Sequence, residues 1–78
     1  MILGLYRHYK GELYLVQAVA QHTETLEEMV VYRSLYGDFV TWVRPLSMFE
    51  STIEHEGKIV RRFTYIRDPS AEPTTIIG

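Results

Sequence analysis

Basic and ring-bearing side chains recur together at three places in this chain, and side chains of these types hold ligands in two ways. A guanidinium or ammonium clasps an anion through charge-assisted hydrogen bonds, and an aromatic face stacks on another planar group. The first cluster is "LYRHYKG", in which Arg7, His8 and Lys10 interleave with Tyr6 and Tyr9. The second, "YRSLYGD", carries Tyr32, Arg33, Tyr36 and Asp38, and the third, "VTWVRP", sets Trp42 two residues before Arg44. Successive side chains of a strand point to opposite faces, so Arg7 shares a face with Tyr9, and Trp42 shares one with Arg44. The expected ligand-facing patch is Arg7, Tyr9, Tyr36, Trp42 and Arg44, gathered by the closing of a barrel. A structural reading competes with it: inward-facing rings whose polar tips are satisfied, and Arg44 paired with Asp38 or Glu50.

Other chemistries find less support. His8, His22 and His55 are far apart in sequence and lack the short-range spacing of a metal motif, so a zinc site built from them and Glu24 would require three unrelated loops to converge. Neither a metal nor a cofactor is expected. The serines Ser34, Ser47 and Ser51 have no glycine-framed elbow and no evident His and Asp support, and the five glycines are dispersed rather than grouped into a phosphate-binding loop. The best enzymatic alternative is acid-base chemistry by His22, Glu24 and Asp38, in which carboxylates on turns adjust a nearby imidazole. Against it, "HTETLEE" reads as a solvated polar loop.

A formal charge of -2 gives no general attraction to nucleic acid, although Arg7, His8 and Lys10, and likewise Lys58, Arg61 and Arg62, form local basic groups. With 46% hydrophobic and 23% charged residues, 78 residues have the balance of one globular domain. A domain of this size buries only ~60% of the surface of its unfolded chain. Cysteine is absent, so disulfides and thiolate metal sites cannot reinforce the core, and that task falls to one Trp, six Tyr and three Phe. No apolar run approaches the ~20 residues of a membrane span, and the start of the chain lacks the pattern of a signal peptide. A cytoplasmic protein without a membrane partner is expected.

The elements that must position these side chains are short strands. "LYLVQAVA" is apolar on both parities, and Gly11 before it marks a hairpin with residues 5–9. Residues 29–35 and 39–43 are rich in β-branched and aromatic side chains and flank "YGD", which predicts a second hairpin whose last strand finishes at or near Arg44, since Pro45 cannot donate to a central ladder. Leu46 and Phe49 in "PLSMFEST" are spaced for one helical turn that plugs the core. "TIEHEGKIVRRFTYI" predicts a last hairpin turning at "EGK". Thr25 and Glu28 have capping-box spacing, which suits one helical turn or a structured loop. Residues 1–67 form one expected domain, with Tyr14, Val16, Val31, Val43, Leu46, Phe49 and Phe63 in its core. Residues 68–78, which contain Pro69 and Pro73, form an expected flexible tail. The fold class is mainly β: a small SH3-like barrel of five or six short strands with one short helical turn.

"YRHYKG", "HTET", "VVYRSLYGD", "WVRPLSMF" and "GKIVRRF", in this order and spacing, resemble the small bacterial family catalogued as domain of unknown function number 1653. The resemblance runs from Tyr6 to Ile66 and implies an SH3-type barrel; it implies no established activity, substrate or cofactor. One departure is Arg61, where family members often have proline before the Arg-Phe pair. The leading functional expectation is a non-catalytic binding module for a peptide, a nucleic-acid segment or a small anionic ligand. Its rivals are the small enzyme described above and an assembly subunit with an aromatic interface.

Overall fold

In the computed structural model, which describes residues 1–68, the β-prone segments form seven strands and one short helix. β1 (Gly4–His8) and β2 (Leu13–Gln21) make the first hairpin, closed by the His8 and Gly11 amides donating to the Glu12 and His8 carbonyls at 2.8 and 2.7 Å. β3 (Glu28–Ser34) and β4 (Thr41–Pro45) make the second. Buried Ser34 ties its turn: the Oγ accepts the Val40 amide at 3.0 Å. α1 (Leu46–Phe49) follows Pro45 directly, a residue with no amide to donate and a ring suited to a helix start. β5 (Thr52–His55) and β6 (Lys58–Arg61) form a separate hairpin. Glu56 and Gly57, at φ 53° and 79°, make its two-residue loop, the positive-φ pair that matches strand twist. A bend at Arg62 leads into β7 (Phe63–Arg67).

β4, β3, β2, β1 and β7 lie in that order in one antiparallel sheet. Directly paired residues share a face. The pairs Tyr6 with Tyr14, Tyr14 with Ser34, Val16 with Tyr32, Tyr32 with Trp42, and Val30 with Arg44 therefore define the inner face. β2 stays on this face through a bulge. The register skips between Val16 and Ala18, leaving Gln17 exposed and turning Val19 rather than Ala18 toward Val30. This extra residue is why "LYLVQAVA" shows no alternation.

Tyr6, Val16, Val30, Tyr32, Phe49 and Phe63 are buried on the inner side, with Tyr14 and Leu46 packed against them. Most ring pairs in this core meet edge-on, whereas Phe49 and Phe63 lie parallel, 4.0 Å between centroids. The stack closes the fold. β4 and β7 are the two edges of the sheet and do not pair, so α1 spans the gap: Phe49 from the end of β4 covers Phe63 at the start of β7. Ser51 reinforces the link, its carbonyl accepting the Arg62 amide and its Oγ accepting Arg62 Nε, at 3.0 and 3.1 Å.

The protein is mainly β with one short helix, but its sheets are not closed into a barrel, because side chains and α1 replace the missing β4–β7 ladder. Seven strands exceed the expected five or six, since Arg62 divides the last alternating run. Val43 is 59% exposed, opposite Val31 on the outer face, where among the described residues no second layer covers the sheet, and Val31 is only half-buried. Thr25 and Glu28 start no helix; Thr25 Oγ1 instead accepts the Glu27 amide at 3.2 Å in a loop. The expected tail, apart from Asp68, lies outside the described residues.

Candidate functional site

Arg44 enters the site from β4, two residues beyond Trp42 and on the same inner face. Trp42, at 49% exposure, presents much of its ring to solvent, whereas Arg44 is half-buried. The Arg44 guanidinium reaches across the seam to lie over Phe63, 5.8 Å from guanidinium carbon to ring centre. Its Nη1 is buried and has no hydrogen-bond partner, and among the described residues no carboxylate forms an ion pair with it. Neither Asp38 nor Glu50 pairs with it. A buried donor left unpaired costs about 1–3 kcal/mol. The sheet thus holds at its seam a cation whose counter-charge the described chain does not supply.

The ring beneath this cation is part of an aromatic cluster. Phe63 meets His8 edge-on at 5.0 Å, and it also meets Tyr14 and Tyr32. Burial among these rings pushes the His8 imidazole below its ordinary pKa; the Glu12 carboxylate opposes the shift, and the charges of Lys10, Arg44 and Arg62 add to it. His8 Nδ1 accepts the Lys10 amide at 3.2 Å, which leaves the proton of the neutral ring on Nε2. Tyr14 and Tyr36 share a hydroxyl–hydroxyl hydrogen bond of 2.7 Å. Burial first, and this bond second, hold the Tyr14 phenol well above its usual range, so its hydroxyl stays protonated.

The five residues expected to form one patch divide. Trp42 and Arg44 share the inner face, and Tyr36 joins it through Tyr14. Tyr9 lies past the end of β1, its ring 4.5 Å from His8 and 5.1 Å from His55, with Lys10 over it. Arg7 does not belong with them. It pairs with Leu13, one position out of phase with Tyr6 and Tyr14, and so faces the outer side of the sheet. The shared parity expected for Arg7 and Arg44 fails because parity within each hairpin does not fix which face the next hairpin turns inward. His8, Tyr14 and Phe63 neighbour the site without having been placed in the expected patch: Tyr14 and Phe63 were expected in the core, and His8 in a local basic group. His8 was legible to one extent: it alternates with Tyr6, so an inward Tyr6 carries His8 inward.

The enzymatic alternative is not assembled. His22 and Glu24 sit in the β2–β3 loop, where His22 Nδ1 accepts the Glu24 and Thr25 amides, while Asp38 lies in the β3–β4 turn. The seven residues of β3 separate the two loops by ~20 Å at ~3.3 Å per residue. Tyr9 brings His8 and His55 near one another, His22 remains in its distant loop, and no metal-holding group of His, Cys, Asp and Glu occurs among the described residues. No described helix is long and apolar enough to cross a membrane.

A family model described as "Protein of unknown function (DUF1653)" matches residues 4–65. The chain is also similar to a DUF1653 protein from Bordetella bronchiseptica, known from its crystal structure. The two are 34% identical with a TM-score of 0.81, and the match covers 92% of this chain and 95% of that one. No curated protein matches.

Proposed function

The chain belongs to the DUF1653 family of proteins of unknown function, and from that premise we propose that it is a non-catalytic binding module. Its ligand brings an anionic group to Arg44 and a flat group to the exposed rings of Trp42 and Tyr36, with Tyr9 flanking the site beside His8. The observation that carries this reading is the buried, unpartnered Nη1 of Arg44 on a face lined by rings. A bound anion supplies the missing counter-charge, and stacking on a ring is worth ~1–3 kcal/mol if the planar group is a nucleobase. A small anionic ligand suits the site better than a nucleic-acid segment or a peptide, because one guanidinium serves it in a chain whose formal charge is -2. We further read the curled sheet as a half-open form of the SH3-like class, supported by the seam that Phe49, Phe63 and Arg44 span. A cytoplasmic setting is supported by the cysteine-free composition.

Trp42 is the sole tryptophan, so its fluorescence reports on the site directly. Titration with benzoate, AMP and inorganic phosphate tests the reading. A saturable change with a ring-bearing anion, weaker with phosphate and lost in Arg44→Gln, is expected. No response to any of the three, or an equal response in Arg44→Gln, overturns it.

A further inference from the structure

A depression of about 360 Å³ has neither Arg44 nor Trp42 in its lining, although it shares Phe63 with the Arg44 site. Its base is aromatic: Tyr6, Phe49 and Phe63, all buried, together with Tyr65, whose ring meets that of Tyr6 edge-on at 5.4 Å. Its charged lining is of both signs. Glu50 and Arg61 are exposed and both border it, and among the described residues neither has an ion-pair partner; Met1, Ile2 and Thr64 complete the lining. The Tyr6 hydroxyl donates to the Ile2 carbonyl at 2.6 Å, which fixes the ring in the base and commits its proton. The volume is at the lower end of the ~300–1,000 Å³ usual for small-ligand sites, which favours a compact molecule over a peptide chain.

We propose that this groove binds a free α-amino acid with an aromatic side chain. The ligand ring packs edge-on against the exposed ring of Tyr65, over the buried rings of Tyr6, Phe49 and Phe63 that support it. Its carboxylate is clasped by the Arg61 guanidinium, a geometry suited to paired hydrogen bonds, and its ammonium is met by the Glu50 carboxylate. Charge complementarity is the discriminating observation. Of this pair a simple anion satisfies only Arg61 and a simple amine only Glu50, whereas a zwitterion with an apolar side chain satisfies both and covers the exposed ring of Tyr65. The second depression that Glu50 borders, between Glu27, Glu28 and Ser47, has no cation in its lining and lacks this complementarity. The inference is independent of the reading of Arg44.

The test is a titration of the full chain with L-phenylalanine followed by amide proton–nitrogen NMR. Saturable shifts are expected at Glu50, Arg61, Thr64 and Tyr65. 3-Phenylpropionate, which lacks the ammonium, and phenethylamine, which lacks the carboxylate, should each bind about tenfold or more weakly, as the loss of one charged hydrogen-bonded contact predicts. Glu50→Gln and Arg61→Gln should weaken L-phenylalanine to the same extent. Both positions are exposed, and the dispersion of the free spectra reports whether each variant is folded. Arg44→Gln should bind L-phenylalanine as the parent does. The absence of saturable shifts at millimolar ligand, equal binding of either analogue, or shifts centred on Trp42 and Arg44 would each overturn the proposal.

Discussion

The guanidinium of Arg44 and the ring of Phe63 meet at 5.8 Å although their strands, β4 and β7, are opposite edges of the sheet. The contact therefore measures how far the sheet curls: its two free edges approach until one long side chain spans them. It also sets two energies against each other. A cation over a ring at 5.8 Å is near the ~6 Å limit of such interactions, where ~0.5–1 kcal/mol is typical. The unpartnered Nη1 costs about 1–3 kcal/mol. The cost is the larger of the two, so these two contributions together give no net stabilisation from placing the guanidinium at the seam.

Replacing Arg44 by an apolar side chain of similar length removes the orphaned donor and keeps the cover over Phe63. Arg44→Met is expected to unfold at the same temperature as the parent or above it, by up to ~1 kcal/mol in denaturant melts. A loss of more than ~1 kcal/mol would show that the guanidinium is a structural clamp.

Phe49 is 1% exposed and stacks on Phe63, joining the end of β4 to the start of β7 through four helical residues. Phe49→Ala removes both the plug and the seam and should cost ~3–5 kcal/mol, a large part of what a small domain possesses. An unchanged melting temperature in a folded Phe49→Ala protein would mean that something other than α1 closes the sheet.

Much of this arrangement was legible in the sequence because it is local. Gly11 before an apolar run, "YGD" between β-branched segments, "EGK" and the proline-led spacing of Leu46 and Phe49 each act within a few residues, and three hairpins and a helical turn formed there. What was not legible depends on global geometry. The bulge at Gln17 reverses the parity of β2 midway, so no alternation reveals that Val16 and Val19 share a face. Val43 is a strand residue by composition, but it is exposed because its parity faces outward at an uncovered edge strand. The site divided for the same reason. Trp42 and Arg44 keep their shared parity within β4, while the relation of Arg7 to them depends on three strand registers that no short motif encodes.

Gly4 is buried at φ +135°, and a Cβ placed there would lie 2.7 Å from the Arg67 carbonyl oxygen. The obstacle is backbone, held in the β1–β7 ladder by the pairing of Leu5 with Arg67, so it cannot rotate away. Gly4→Ala should destabilise by more than ~1 kcal/mol and raise amide exchange along β7 more than along β3. Uniform exchange in the two strands would place the strain elsewhere.

His8 gives the protein a pH dependence whose sign follows from its surroundings. Burial lowers its native pKa beneath the unfolded value of 6.5, with Lys10, Arg44 and Arg62 adding to the shift and Glu12 opposing it. Protonation must also displace the Lys10 amide from Nδ1. Between the native and unfolded pKa values the unfolded chain binds more protons, so stability rises with pH in that window. The contribution is fully present above about pH 6.5, declines as pH falls through that value, and stops declining once the native pKa is passed. The melting temperature should thus be lower at about pH 5.5 than at about pH 7.5. Phenylalanine keeps a ring against Phe63 and Tyr14 but cannot titrate, so His8→Phe should reduce the difference between the two pH values. If His8→Phe keeps the full difference, the loss of stability in acid comes from other groups, and His8 is a ring of the core and nothing more.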